Sequence, residues 1–147
     1  MVDRYRSKQL ELPAPEHDFT RADLAFYDLD HSGPTFEARV FIGAGRGLRR
    51  NAGRDHPAYA ASLFVFGHGT CSGEEGHCDV PAERDPFDFR LPHHLEPGVQ
   101  MLTVTDAVRR LVDAGKAKAV VDVFVHGPEG EPLKTLSFSQ LRLLTYA

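Results

Sequence analysis

The reactive side chains of this sequence crowd into one stretch. Between His68 and His94 lie both cysteines, Cys71 and Cys78, together with His77, His93 and a closing His94. Thiolate and imidazole are the donor types that hold zinc or copper at short range. His68 and Cys71 are spaced as in a chelating turn, His77 and Cys78 are adjacent, and Pro92-His93-His94-Leu95 offers one or two further imidazoles. His93 or His94 alongside His68, Cys71 and Cys78 would complete a four-coordinate set. Gly67, Gly69, Gly73 and Gly76 supply the unusual backbone angles such a loop would need. The spacing matches no standard zinc-finger template, so metal binding leads and two other readings stay open. Cys71 and Cys78 could form a disulfide closing a short loop. They could also stay unlinked, with the histidines bonded to Glu74, Glu75 or Asp79.

Ligand softness would select the metal. Two thiolates with imidazoles suit zinc or Cu(I), whereas one cysteine, two histidines and a distant Met101 suit Cu(II). A closed shell of ligands would be structural, and an open position would permit chemistry on bound water or dioxygen. Other candidates are weaker. Asp85, Asp88 and Arg90 read as ion pairs that order a loop. Asp30-His31-Ser32 holds the residue types of a hydrolytic triad, but consecutive residues do not point at one another as a triad requires. His126, between a strand and a turn, reads as a surface histidine. Glu74 and Glu75 read as solvated loop charges, although beside a metal either could serve as a general base.

The whole chain narrows the function classes. Its 147 residues suffice for one domain with a single core. A formal charge of −4 argues against a sequence-independent grip on phosphate backbones, so no nucleic-acid partner is expected. Arg46, Arg49, Arg50 and Arg54 are interrupted by glycines and read as a solvated loop. No segment approaches the ~18 apolar residues of a membrane span, and the charged N-terminus lacks the apolar core of a secretory signal. A cytoplasmic chain is the expectation, a setting that favours thiols or metal ligands over a structural disulfide.

The elements that must position the His/Cys segment read as mostly β. Residues 1–21 are polar with two prolines and form an N-terminal arm, and 22–147 form a single domain. Strands are expected at 22–27, 35–42, 60–66, 99–104, 118–126 and 135–146. Phe36, Ala38, Val40 and Ile42 alternate onto one face, and Phe41 breaks the pattern, so both faces are expected to be covered there. The apolar 60–66 strand reads as central. Thr105 is expected to cap a helix over 106–114 that stops at Gly115, with Val108, Leu111 and Val112 as its apolar stripe. The last two strands, joined by the Gly/Pro-rich turn 127–132, read as a hairpin. Six or seven strands with one short α-helix and no strand–helix rhythm favour a β-sandwich, jelly-roll or Ig-like, over a doubly wound sheet.

With the strands laid out, a family likeness is visible. Ala22-Asp23-Leu24-Ala25-Phe26-Tyr27 followed by Phe36-Glu37-Ala38-Arg39-Val40-Phe41-Ile42 resembles the start of the C-terminal domain of plant polyphenol oxidases. Ala61-Ser62-Leu63-Phe64-Val65-Phe66-Gly67-His68 is similar to the next strand of that domain, and 102–111 to its short helix. The sequence is more similar still to a bacterial version at the C-terminal end of tyrosinase-like proteins. Its Gly-His-Gly-x-Cys, Gly-His-Cys-Asp-Val-Pro and Pro-His-His-Leu motifs correspond here to Gly67 to Cys71, Gly76 to Pro81 and Pro92 to Leu95. The resemblance implies a β-sandwich that packs over a dinuclear copper oxidase domain and shields its active site. Type 3 copper sites need two sets of three histidines on bundled helices. The eight histidines here are spread mostly over loops, so tyrosinase chemistry by this chain alone is not expected.

Three functions follow. The first is a copper- or zinc-binding domain accessory to a tyrosinase-type copper oxidase. The second is a stand-alone copper-dependent oxidoreductase acting on a small phenolic molecule. The third is a metal-free interaction module with a Cys71–Cys78 disulfide.

Overall fold

The computed structural model describes residues 1–69, 74–76, 78–80, 83, 85–89 and 95–147. In chain order these form β1 (Arg4–Arg6), β2 (Leu10–Glu11), β3 (Arg21–Leu29), β4 (Phe36–Ile42), β5 (Tyr59–Val65), β6 (Gly98–Thr103), α1 (Thr105–Asp113), β7 (Lys118–Ala119), β8 (Val121–His126) and β9 (Gln140–Tyr146). One sheet runs β1-β8-β4-β5, a second β6-β3-β9, and β2 pairs with β7. The pairings are antiparallel. The result is a β-sandwich with one short helix.

Strand periodicity builds the core. Side chains alternate across a strand, so Phe36, Ala38, Val40 and Ile42 of β4 and Val121, Val123 and Val125 of β8 point inward together. They meet Ala22, Leu24 and Phe26 of β3 in one buried cluster. The opposite face of the β4–β8 pair is covered too. Phe41 and Phe124 are fully buried there with Leu48 and Ala58, which accounts for Phe41 standing out of the alternation.

That cover is the connection 43–58, and its arginines do more than solvate it. The Arg50 guanidinium donates from Nη2 to the carbonyls of Val125 at 3.3 Å and Asp3 at 3.4 Å, and Nη1 pairs with Asp3 Oδ2 at 3.2 Å. The loop is therefore fastened across β8 to the N-terminal segment. Residues 1–21 supply β1 and β2, and β1 lies along β8. Arg6 Nη1 donates to both carboxylate oxygens of the fully buried Asp122 at 2.9 Å.

Three local expectations are corrected. Strand β5 is an edge of its sheet, not its centre; its apolar outward residue Phe64 stays 67% exposed. β8 and β9 are not a hairpin. Both flanks of β8 are taken by β1 and β4, so the chain leaves the sheet after the His126–Pro132 bridge and β9 pairs with β3. The crossing buries Leu136, which also bridges Val2. Finally, Val104 rather than Thr105 is the N-cap of α1, without a side-chain cap. The Thr105 hydroxyl instead accepts the Ala22 N–H at 3.0 Å and so pins the helix start to β3. The other end is as the sequence indicates. Gly115 has φ 77°, its N–H reaches Val112 O at 2.9 Å, and Lys116 N–H reaches Leu111 O at 3.0 Å, a Schellman closure.

Candidate functional site

The His/Cys segment begins where the chain leaves β5, and its first residues are seated on the β3–β4 turn. Gly67 N–H donates to Thr35 Oγ1 at 3.0 Å, and His68 N–H to His31 O at 3.1 Å. A Cβ on Gly67 would lie 2.2 Å from both Gly33 O and Pro34 C, and one on Gly69 3.1 Å from Pro34 N. These two glycines serve the close approach of two backbones. The expected role in unusual angles falls instead to Gly76, with φ 81°.

This seating brings His31 and His68 together. Their rings meet edge to face with centroids 5.7 Å apart, and Phe66 packs edge-on against His68 at 5.6 Å. His31 Nδ1 lies 3.5 Å from Leu29 O, and His68 Nδ1 3.4 Å from His31 O. A carbonyl can only accept, so both contacts hold a protonated Nδ1 toward the backbone. Asp30 and Ser32 do not complete a triad with His31. Asp30 Oδ1 accepts the Ser32 N–H at 2.9 Å and its hydroxyl at 2.6 Å. These two bonds hold the Asp30 carboxyl below the usual carboxylate range, against the opposing effect of burial.

Of the six candidate ligands, His68 and Cys78 are among the described residues; Cys71, His77, His93 and His94 lie outside them. Cys78 is disulfide-bonded, and Cys71 is the sequence's one other cysteine. A disulfide sulfur is not a thiolate, and the thiolate is the metal ligand. Among the described residues no three His, Cys, Asp or Glu side chains gather as a metal site. Cys78, as half of a disulfide, is therefore not a thiolate ligand. Asp85 caps its own turn, its Oδ1 accepting Phe87 N–H at 2.8 Å; Arg90 lies outside the described residues.

Two groups carry more than the sequence indicated. His126 is 6% exposed, not a surface residue, because the turn folds back and Gly130 O meets its Nδ1 at 3.2 Å. Glu37 is the centre of a polar cluster on the outer face. Its carboxylate accepts from Ser62 Oγ at 2.6 Å, Arg54 Nη2 at 2.8 Å and Arg39 Nη2 at 3.0 Å, and Tyr59 supports Ser62 at 2.9 Å. Burial pushes the Glu37 pKa up, and the Arg39, Ser62 and Arg54 hydrogen bonds outweigh it, holding the carboxyl at about 2. A group so fixed cannot exchange protons near neutrality. Beside it Arg54 stacks on Phe64 at 5.7 Å, at a cleft of about 280 Å³ that Pro128 also lines. Glu37 and Arg39 alternate with the core-facing residues of β4, and the further partners of Glu37 come from β5 and the 43–58 connection.

No protein-family model matches the sequence, and no curated protein matches it. Solved structures do. The recombinantly expressed latent aurone synthase, a polyphenol oxidase, superposes with TM-score 0.58 at 11% identity over 99% of this chain. The chain has the fold of part of a latent polyphenol oxidase. The same enzyme from its natural source gives TM-score 0.54 at 10% identity over 98% of the chain. This chain spans about a quarter of those proteins, 25% and 24%, a share that fits a C-terminal domain of such an oxidase.

Proposed function

We propose that this domain is the accessory cover of a tyrosinase-type copper oxidase, with the catalytic copper held by the oxidase. The observation that carries the reading is the likeness over 97–99% of this chain to a quarter of a latent polyphenol oxidase. The surface supports it. Phe64 and Phe66 stand exposed at and just beyond the edge strand β5, and Phe87 and Phe89 in the following segment are 80% and 92% exposed. Apolar side chains left in water at one stretch of a small domain mark a surface that another protein covers. No step of the reading runs through a metal on His68, Cys71, His77, Cys78, His93 or His94. As ligands the cysteines would first have to be reduced.

The test pairs the purified chain with a tyrosinase-type oxidase from the same source. Association on size-exclusion chromatography, with lowered diphenol turnover that a Phe64→Ser/Phe66→Ser variant restores, is the expected result. If the pair neither associates nor changes turnover, the cover reading is wrong. A second reading, a metal-free interaction module, is favoured by one observation, the disulfide at Cys78. It would bind a protein that is not a copper oxidase through the same phenylalanines. The disulfide also supports an oxidising compartment over the cytoplasm, which fractionation of the native host would test.

A further inference from the structure

We infer that Arg54, stacked on Phe64, is the specificity-determining charge of the docking surface, and that it receives a carboxylate, Asp or Glu, of the partner. The inference rests on the cover reading and adds to it the chemistry of the partner's contact face: an acidic side chain set among apolar ones. Arg54 is fixed before any partner arrives. Its Nε and Nη2 donate to one oxygen of Glu37, Oε1, at 3.2 and 2.8 Å, and its guanidinium lies 5.7 Å from the centre of the Phe64 ring. A guanidinium is a planar fork of N–H donors that can meet a carboxylate along either of two edges. Glu37 takes the Nε/Nη2 edge, which leaves the Nη1/Nη2 edge for a second carboxylate. This chain does not supply one. The described residues include every Asp and Glu of the sequence, and Glu37 is the one that pairs with Arg54.

The balance of charge gives the sign of the partner. Arg39 and Arg54 both bond Glu37, so the cluster holds two cations on one anion. Arg39 and Glu37 are 23% and 12% exposed, against 56% for Arg54. The cluster's surplus positive charge is therefore presented by Arg54, on a chain of net charge −4. Glu131, on the turn that brings Pro128 to the same cleft, turns its carboxylate onto the Glu129 N–H at 3.0 Å. Phe64 and Phe66, 67% and 77% exposed, supply apolar area at this end of β5. Exposed phenylalanines alone would accept many apolar surfaces. Arginine and aromatic side chains carry binding energy when a partner excludes water from them, and a charge among apolar contacts selects which partner is accepted.

The experiment measures Kd for the full chain and the tyrosinase-type oxidase by calorimetry at low and high salt. Wild-type association is expected to weaken as salt rises. Arg54→Gln should raise Kd at least about tenfold and flatten that salt dependence. Arg54→Lys should recover part of the loss, since an ammonium keeps the charge without the fork. Lys116→Gln, which removes the same charge between α1 and β7, should leave Kd nearly unchanged. Urea midpoints establish that the variants are folded. Should Arg54→Gln not fold, Arg54→Lys and the salt dependence of the wild-type chain decide by the same criteria. Wild-type association indifferent to salt, association undiminished in Arg54→Gln, or an equal loss in Lys116→Gln overturns the inference and leaves the cover reading standing. No association of the wild-type chain refutes both.

Discussion

Replacing Glu37 with glutamine tests whether the outer-face cluster stabilises the sandwich by charge. The Glu37 carboxyl sits at about 2 instead of its ordinary 4.5. By proton linkage a displacement of that size corresponds to about 3 kcal/mol. One of its donors, Arg54, is 56% exposed, and solvent screening brings the expected contribution to about 1–2 kcal/mol. The folded pKa lies below the unfolded one. The stabilisation is therefore complete above about pH 4.5 and is lost as pH falls from there toward 2. Glutamine keeps the shape and a hydrogen-bond acceptor but removes the charge that strengthens the arginine bonds. Urea unfolding at pH 7 should show Glu37→Gln less stable by about 1–2 kcal/mol, with the slope unchanged. Repeated from pH 5 down to pH 2.5, the two stability curves should converge. A gap of equal size at pH 7 and pH 2.5, or none at pH 7, would falsify the electrostatic account.

Three other perturbations probe the packing of the sandwich and of the segment that follows β5. Gly67→Ala forces a Cβ onto the Gly33 and Pro34 backbone at 2.2 Å and should cost about 1–3 kcal/mol by denaturant unfolding, whereas Gly45→Ala, which meets open space at positive φ, should report backbone strain alone. Arg6→Met strips the buried Asp122 of its bidentate partner. With Arg4 3.9 Å away as partial compensation, the loss should be about 2 kcal/mol, read as a lower urea midpoint. Purified without reductant, the chain should give no thiol signal with Ellman's reagent, in keeping with the disulfide at Cys78. Reduction that opens the loop between positions 71 and 78 should then cost about 2.5 kcal/mol by loop-closure entropy, seen as a lower melting temperature.

What the sequence made legible was local. Alternation in β4 assigned Phe36, Ala38, Val40 and Ile42 to one face, and those residues line the core. Gly115 ended the helix because a left-handed residue is needed there, a requirement that one residue carries by itself. Pairing order was not local. The strand β5 is as apolar as β8, but β8 is flanked by β1 from far up the chain, and nothing in residues 59–65 says that β5 ends the sheet among the described strands. His126 failed for a related reason. A histidine ahead of a Gly/Pro turn looks exposed until the turn itself folds over it. The segment from His68 to His94 showed its donor types plainly, and donor types do not distinguish a thiolate from half of a disulfide.

The two ends of that ambiguity lead to different proteins, and the fold bears on which one is coherent. The outer face of the β4–β8 pair is sealed by the 43–58 connection with Arg50 laced through it, and the inner face is core. The larger sheet ends at β1 on one side and at β5 on the other, and the exposed phenylalanines Phe64 and Phe66 lie at the β5 edge or just past it. The paired imidazoles stand next to Phe66. A partner that covered this edge would bury the phenylalanines and lie beside His31 and His68 in the same contact.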